Sequence, residues 1–161
     1  MKSALRIFGT VLVVLSVLTV AFLDIPQFAG FHYYNVISGS MEPTIHVNSL
    51  IMVKPVNSDE IEVDDIITFA ANGQIITHRV IDIDGYTFIT KGDANEQQDM
   101  NPIPADKVLG IVVFKLSYVG SLFQAISTTT GKIFLFGLFI TGLFLEKVGD
   151  GNTKPTSKKE Q

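Results

Sequence analysis

Three short blocks of this chain hold residues whose types and spacing could do chemistry. They are Ser38-Gly39-Ser40-Met41-Glu42-Pro43-Thr44, Ile76-Thr77-His78-Arg79-Val80 and Gly92-Asp93-Ala94-Asn95-Glu96-Gln97-Gln98-Asp99. A serine hydroxyl is a poor nucleophile at its free pKa and needs a base within hydrogen-bond reach. A neutral imidazole suits that task near neutral pH, and a carboxylate can orient the imidazole. Taken alone, each block has a plainer reading. Ser-Gly-Ser ahead of a proline is a common turn, and a lone histidine in a strand is more often structural. His32, in Phe31-His32-Tyr33-Tyr34, and His46, expected to face solvent in a connection, compete with His78 for the role of base. Lys54, before Pro55, and Lys91, before the Gly-Asp turn, read as solvated.

The elements that must position these residues differ sharply along the chain. Residues 7–23 form an uncharged run of 17, at the short end of what spans a bilayer. Lys2 and Arg6 precede it and Asp24 follows, so the positive-inside rule puts the N-terminus in the cytoplasm. The run ends Ala21-Phe22-Leu23-Asp24-Ile25-Pro26 without a small-x-small cleavage site, which favours a retained anchor over a cleaved signal. A second uncharged run, residues 133–145, is too short to cross alone. Extended to residues 127–146, with Lys132 snorkelling to the headgroups, it reads as a second span. Residues 147–161 are polar and read as a disordered cytoplasmic tail.

Between these runs the pattern is β. Residues 50–53, 66–69, 74–83, 87–90 and 108–114 are β-branched or aromatic, separated by turn residues. Asn72-Gly73 and Asp84-Gly85 read as hairpin turns needing positive φ. The expected domain map is 1–6 cytoplasmic, 7–23 anchor, 24–120 an extracytoplasmic β domain, 127–146 a second span and 147–161 the tail. Phe28, Phe31, Tyr33 and Tyr34 read as strand core or as an aromatic belt at the bilayer surface. Asp59, Glu60, Glu62, Asp64 and Asp65 read as a solubilising acidic patch.

Composition narrows the class. A net charge of −4 gives no reason to expect a nucleic-acid partner. The chain has no cysteine, which excludes a disulfide framework and a thiolate metal site. No metal-ligand spacing occurs, so neither a metal nor another cofactor is expected.

The three blocks, in this order after an N-terminal anchor, resemble a type I signal peptidase of the endoplasmic-reticulum, archaeal and SipW type. In that group a histidine stands where the bacterial housekeeping enzyme has its base lysine. The resemblance implies a mainly β fold: a small β catalytic domain flanked by an N-terminal and a C-terminal transmembrane helix. It implies Ser40 as nucleophile and His78 as general base. Asp99 is the expected orienter of the histidine and Asp93 the support of the acid loop. The Ser40 backbone N–H and the Ser38 hydroxyl are the expected oxyanion donors. Gly39 lets the backbone approach a scissile carbonyl, while Met41 and Pro43 are expected to be structural. The implied activity is a membrane-bound serine endopeptidase that removes signal peptides from exported preproteins. Its partners would be those preproteins, the lipid bilayer and the secretion translocon. Two other classes compete: a membrane-anchored, non-catalytic β-domain, and a self-cleaving Ser-Lys repressor-type peptidase. The apolar anchor and His78 argue against the second. The joint presence of Ser40, His78, Asp93 and Asp99 argues against the first.

Overall fold

A computed structural model describes residues 2–150. Most of the expected tail, residues 151–161, lies outside the described residues, as does Met1. The chain divides into two compact units. One comprises residues up to Asp24 with those from Ile126 onward; the other is Ile25–Ala125.

In the first unit, α1 (Lys2–Phe28) and α3 (Thr129–Asp150) carry exposed apolar side chains over most of their length. Ile7, Phe8, Leu15, Leu18 and Phe22 on α1 and Ile133, Phe134, Phe136 and Phe144 on α3 are all exposed. A water-facing helix buries its apolar stripe and shows a polar face; these helices instead present apolar side chains outward. Three of their hydroxyls bond within their own helix: Ser16 donates to Leu12 O at 2.8 Å, Thr19 to Leu15 O at 2.8 Å and Thr141 to Gly137 O at 2.9 Å. The two helices run antiparallel and meet at paired glycines. A Cβ on Gly9 would lie 2.6 Å from Gly142 O, and one on Gly142 would lie 2.8 Å from Gly9 O. Ion pairs join their ends, Arg6 with Asp150 at 3.2 Å and Asp24 with Lys132 at 2.8 Å. Thr10 donates to Glu146 Oε1 at 2.6 Å one turn inside the first pair. Among the described residues α1 alone is long and apolar enough to cross a membrane; α2 (Gly120–Ser127) and α3, broken at Thr128, meet that measure only together.

The end of α1 belongs to the second unit and follows from local chemistry. Gly30 takes φ +85°, Gly30 N–H donates to Gln27 O and Phe31 N–H to Pro26 O. This is the paired-bond stop that a left-handed glycine permits. The helix therefore outlasts the apolar run 7–23 at both ends.

The second unit is built on one antiparallel sheet in the order β1-β2-β7-β3-β4-β5-β6. Its strands are β1 (His32–Asn35), β2 (Leu50–Lys54), β3 (Ile66–Ala71), β4 (Gln74–Asp84), β5 (Thr87–Lys91), β6 (Ile103–Pro104) and β7 (Val108–Leu116). The mainly β reading describes this unit; over the described chain, helices hold more residues than strands. β7, last in sequence, lies between β2 and β3 and alone joins the β1-β2 pair to the β3-β4-β5 group in the ladder. Asn72 and Gly73 both take positive φ, as a type I′ hairpin requires. The second hairpin departs from expectation by one residue. Asp84 still pairs in β4, and the turn is Gly85-Tyr86, with positive φ at Gly85 only. Two apolar clusters hold the sheet. One gathers Ile61, Ile67, Phe69, Val80, Phe88 and Ile103; the other gathers Met41, Ile45, Ile51 and Val53.

Candidate active site

Ser40 lies in the connection from β1 to β2. That connection closes at its base through Val36 N–H to Ser49 O at 2.9 Å and Asn48 N–H to Val36 O at 2.7 Å. Two further backbone bonds, Glu42 N–H to Gly39 O and Ile45 N–H to Met41 O, curl the chain just after the serine. Met41 and Ile45, both 1% exposed, insert into the second apolar cluster and pin the curl to the sheet. The serine hydroxyl is thus presented from a fixed turn.

His78 sits mid-strand in β4, on the face it shares with the fully buried Val80. It is 7% exposed, and the Phe69 ring meets it edge-on at 6.3 Å. Its Nε2 lies 3.1 Å from Ser40 Oγ and its Nδ1 lies 2.7 Å from Asp99 Oδ2. A carboxylate oxygen only accepts, so in a neutral imidazole Nδ1 carries the hydrogen and Nε2 is left as an acceptor facing the serine hydroxyl. Asp99 also takes a hydrogen bond from the Thr90 hydroxyl on Oδ2, at 2.5 Å, and its N–H donates to Thr90 O at 2.8 Å.

Asp93 stands apart from this chain of contacts. Arg79 follows His78 and points to the other face of β4, where its Nε and Nη2 grip the Asp93 carboxylate at 2.9 and 2.7 Å. Arg79 Nη1 also donates to Asp64 O at 2.8 Å. The Arg79 hydrogen bonds hold the Asp93 carboxyl below the usual carboxylate range. The acid loop is fastened to the serine turn as well. Ala94 N–H donates to Ser40 O at 2.8 Å, and a Cβ at Gly92 would lie 2.6 Å from that same oxygen. Only a glycine lets the two loops come this close.

Ser38 Oγ is 3.5 Å from Ser40 Oγ, on an exposed stretch. Both serines line a groove of about 640 Å³. Residues 34–38 and 74–77 line it, with Met41, Ile45 and Ile51. His32 is exposed. His46 is not simply solvated as its sequence context suggests: its Nδ1 contacts Glu42 Oε2 at 2.7 Å and its ring stacks on Tyr118 at 5.5 Å. That hydrogen bond lowers the Glu42 carboxyl from its ordinary value.

The arrangement is one that can draw a proton from a serine hydroxyl. Ser40, His78 and Asp99, each expected from sequence, are brought together here; Thr90, Gly92 as a contact and the Ala94 N–H were not expected. The alternation of β5 held a signal for Thr90, because a hydroxyl on a core-facing position must find a partner.

Comparison with known proteins points the same way as the three blocks. No family model matches the chain. It is 38% identical over 89 residues to Signal peptidase I W of Bacillus subtilis (strain 168), covering 52% of this chain and 47% of that protein. It is 35% identical over 99 residues to Signal peptidase complex catalytic subunit SEC11C of Homo sapiens, covering 53% of this chain and 52% of that one. The chain thus spans about half the length of the curated relatives it matches.

Proposed function

We propose that this chain is a membrane-anchored serine endopeptidase that removes signal peptides from exported preproteins. The observation that carries the reading is the Asp99–His78–Ser40 line, with contacts of 2.7 and 3.1 Å. Ser40 Oγ attacks the scissile carbonyl as His78 Nε2 takes its proton. The imidazolium that forms is held by Asp99 and returns the proton to the leaving amine. Water then repeats the cycle to release the acyl group from Ser40. The developing oxyanion is met by the Ser40 N–H and, after a small rotation, the Ser38 hydroxyl. Asp93 acts through structure: paired with Arg79, it keeps the acid loop seated on the Ser40 carbonyl. The names of the relatives support preproteins as the substrate class.

The groove beside Ser40 fits an extended peptide lying between residues 34–38 and 74–77, where main-chain bonding supplies affinity. The bilayer is the solvent for α1 and α3. Arg6 and Asp24 on α1 are spaced like Lys132 and Asp150 on α3, about 27 Å along a helix, close to the thickness of a hydrocarbon core. The pairing of these ends supports a second span, with both chain ends on the cytoplasmic side and residues 25–125 outside. The secretion translocon is the neighbour from which the preprotein would arrive. The direct test is cleavage of a preprotein by the purified chain in liposomes, beside Ser40→Ala. Cleavage by wild type alone supports the reading; equal cleavage by both, or none by either, sinks it.

A further inference from the structure

The buried threonine of β5 has a place in the site that goes beyond the three-residue reading, though it rests on that reading. Along β5 burial alternates. Phe88 and Thr90 are buried; Thr87, Ile89 and Lys91 are half-buried. Phe88 enters the apolar cluster. Valine would match Thr90 in shape on that face without burying a hydroxyl. Thr90, with 0% exposure, is instead held twice by one residue. Its hydroxyl donates to Asp99 Oδ2 at 2.5 Å, and its carbonyl accepts from Asp99 N–H at 2.8 Å. Oδ2 is the same atom that accepts from His78 Nδ1. Two donors therefore converge on one oxygen of a carboxylate whose side chain is 24% exposed and open to competing water. We propose that Thr90 is a positioning residue. Its hydroxyl locks the Asp99 carboxylate in the rotamer that faces His78, and so fixes the imidazole tautomer that leaves Nε2 free for the serine proton. The backbone half of the grip survives any side-chain change that keeps the strand, so the hydroxyl can be tested alone.

Thr90→Val keeps the volume and β-branching and deletes the donor. With a preprotein substrate in liposomes, kcat should fall about 10- to 100-fold, the effect of one hydrogen bond to a charged group. KM should stay within about twofold, because substrate does not touch this hydroxyl. Should the valine variant fail to fold, Thr90→Ser and Thr90→Ala isolate the hydroxyl, since both lack the methyl. The serine variant should hold kcat at least about tenfold above the alanine one. In an Asp99→Asn background Thr90→Val should cost less than about twofold more, because both changes act through one contact. Equal kcat in the serine and alanine variants overturns the proposal, as does a full multiplicative loss in the double variant. One readout does not depend on turnover. The downfield His78 Nδ1 proton signal, in proton NMR of the detergent-solubilised protein, should persist in Thr90→Ser and vanish or move in Thr90→Ala. If wild type shows no turnover, the endopeptidase reading fails while this signal still decides the role of Thr90.

Discussion

At the scale of single residues, the site separates two aspartates that sequence alone could barely rank. Asp99 touches the imidazole and Asp93 touches Arg79. Asp99→Asn should lower kcat by about 10⁴-fold with the fold intact, through loss of the tautomer that Nδ1–H to carboxylate enforces. Ser40→Ala and His78→Ala should abolish preprotein cleavage. Ser38→Ala should cost about 10²–10³-fold if its hydroxyl meets the oxyanion. Steady-state kinetics on liposome-embedded protein reads all four. Asp93 makes a different forecast. Its carboxyl is held below the ordinary range by Arg79, whereas in the unfolded chain it titrates near about 3.9. Between those values the unfolded state binds the extra proton, so stability is complete above the window and is lost as pH falls through it. Denaturant unfolding of the wild type and Asp93→Asn should therefore give a stability gap that narrows below about pH 4. A gap that is constant with pH would remove the Arg79 pair as its cause. The residue types were readable because nucleophile, base and acid chemistry restricts them to few side chains. Their partners were not. Arg79 with Asp93 and Thr90 with Asp99 meet across strands or loops, 14 and 9 residues apart, and no local spacing encodes them.

At the scale of elements, the five β-branched runs correspond to β2, β3, β4, β5 and β7. Half-buried strands announce themselves by alternation. β6 escaped because two residues carry no period, and α2 because eight are too few to set one apart from a loop. The hairpin at Gly85-Tyr86 was placed one residue early, since Asp84-Gly85 and Gly85-Tyr86 suit different turn types equally well in sequence. The element most exposed to a single change is the junction of the serine turn and the acid loop. Gly92→Ala puts a methyl 2.6 Å from Ser40 O, a backbone atom fixed by its own bond to Ala94 N–H. One loop must retreat. The expected result is a kcat loss of about 10²-fold or more from displacement of Ser40 against His78, with the far-ultraviolet circular dichroism of the sheet unchanged. Gly137→Ala in α3, which meets no atom within 4 Å and has no positive φ, should leave kcat near that of wild type and serves as the control.

At the scale of the whole molecule, the antiparallel α1–α3 contact makes a statement about sidedness. Reporter fusions at Gly30 should report an external location, and fusions at Gln161 a cytoplasmic one. Both on the same side would reduce the spans and leave α3 at the interface. Gly9→Leu should separate the helices, because the glycine approaches Gly142 O too closely for any side chain. The place of β7 in the sheet has a consequence in time. Ser40 is carried by the β1-β2 pair, and His78 and Asp99 by the β3-β4-β5 group with its following loop; β7 bridges the two. A ribosome delivers β7 after every one of those three side chains. A growing chain therefore holds Ser40, His78 and Asp99 before it holds the strand that joins the two parts of the sheet. Until residue 116 has emerged, the serine and the histidine belong to separate fragments of sheet. Joining the two parts of the sheet through β7 is thus the last of these steps along the chain.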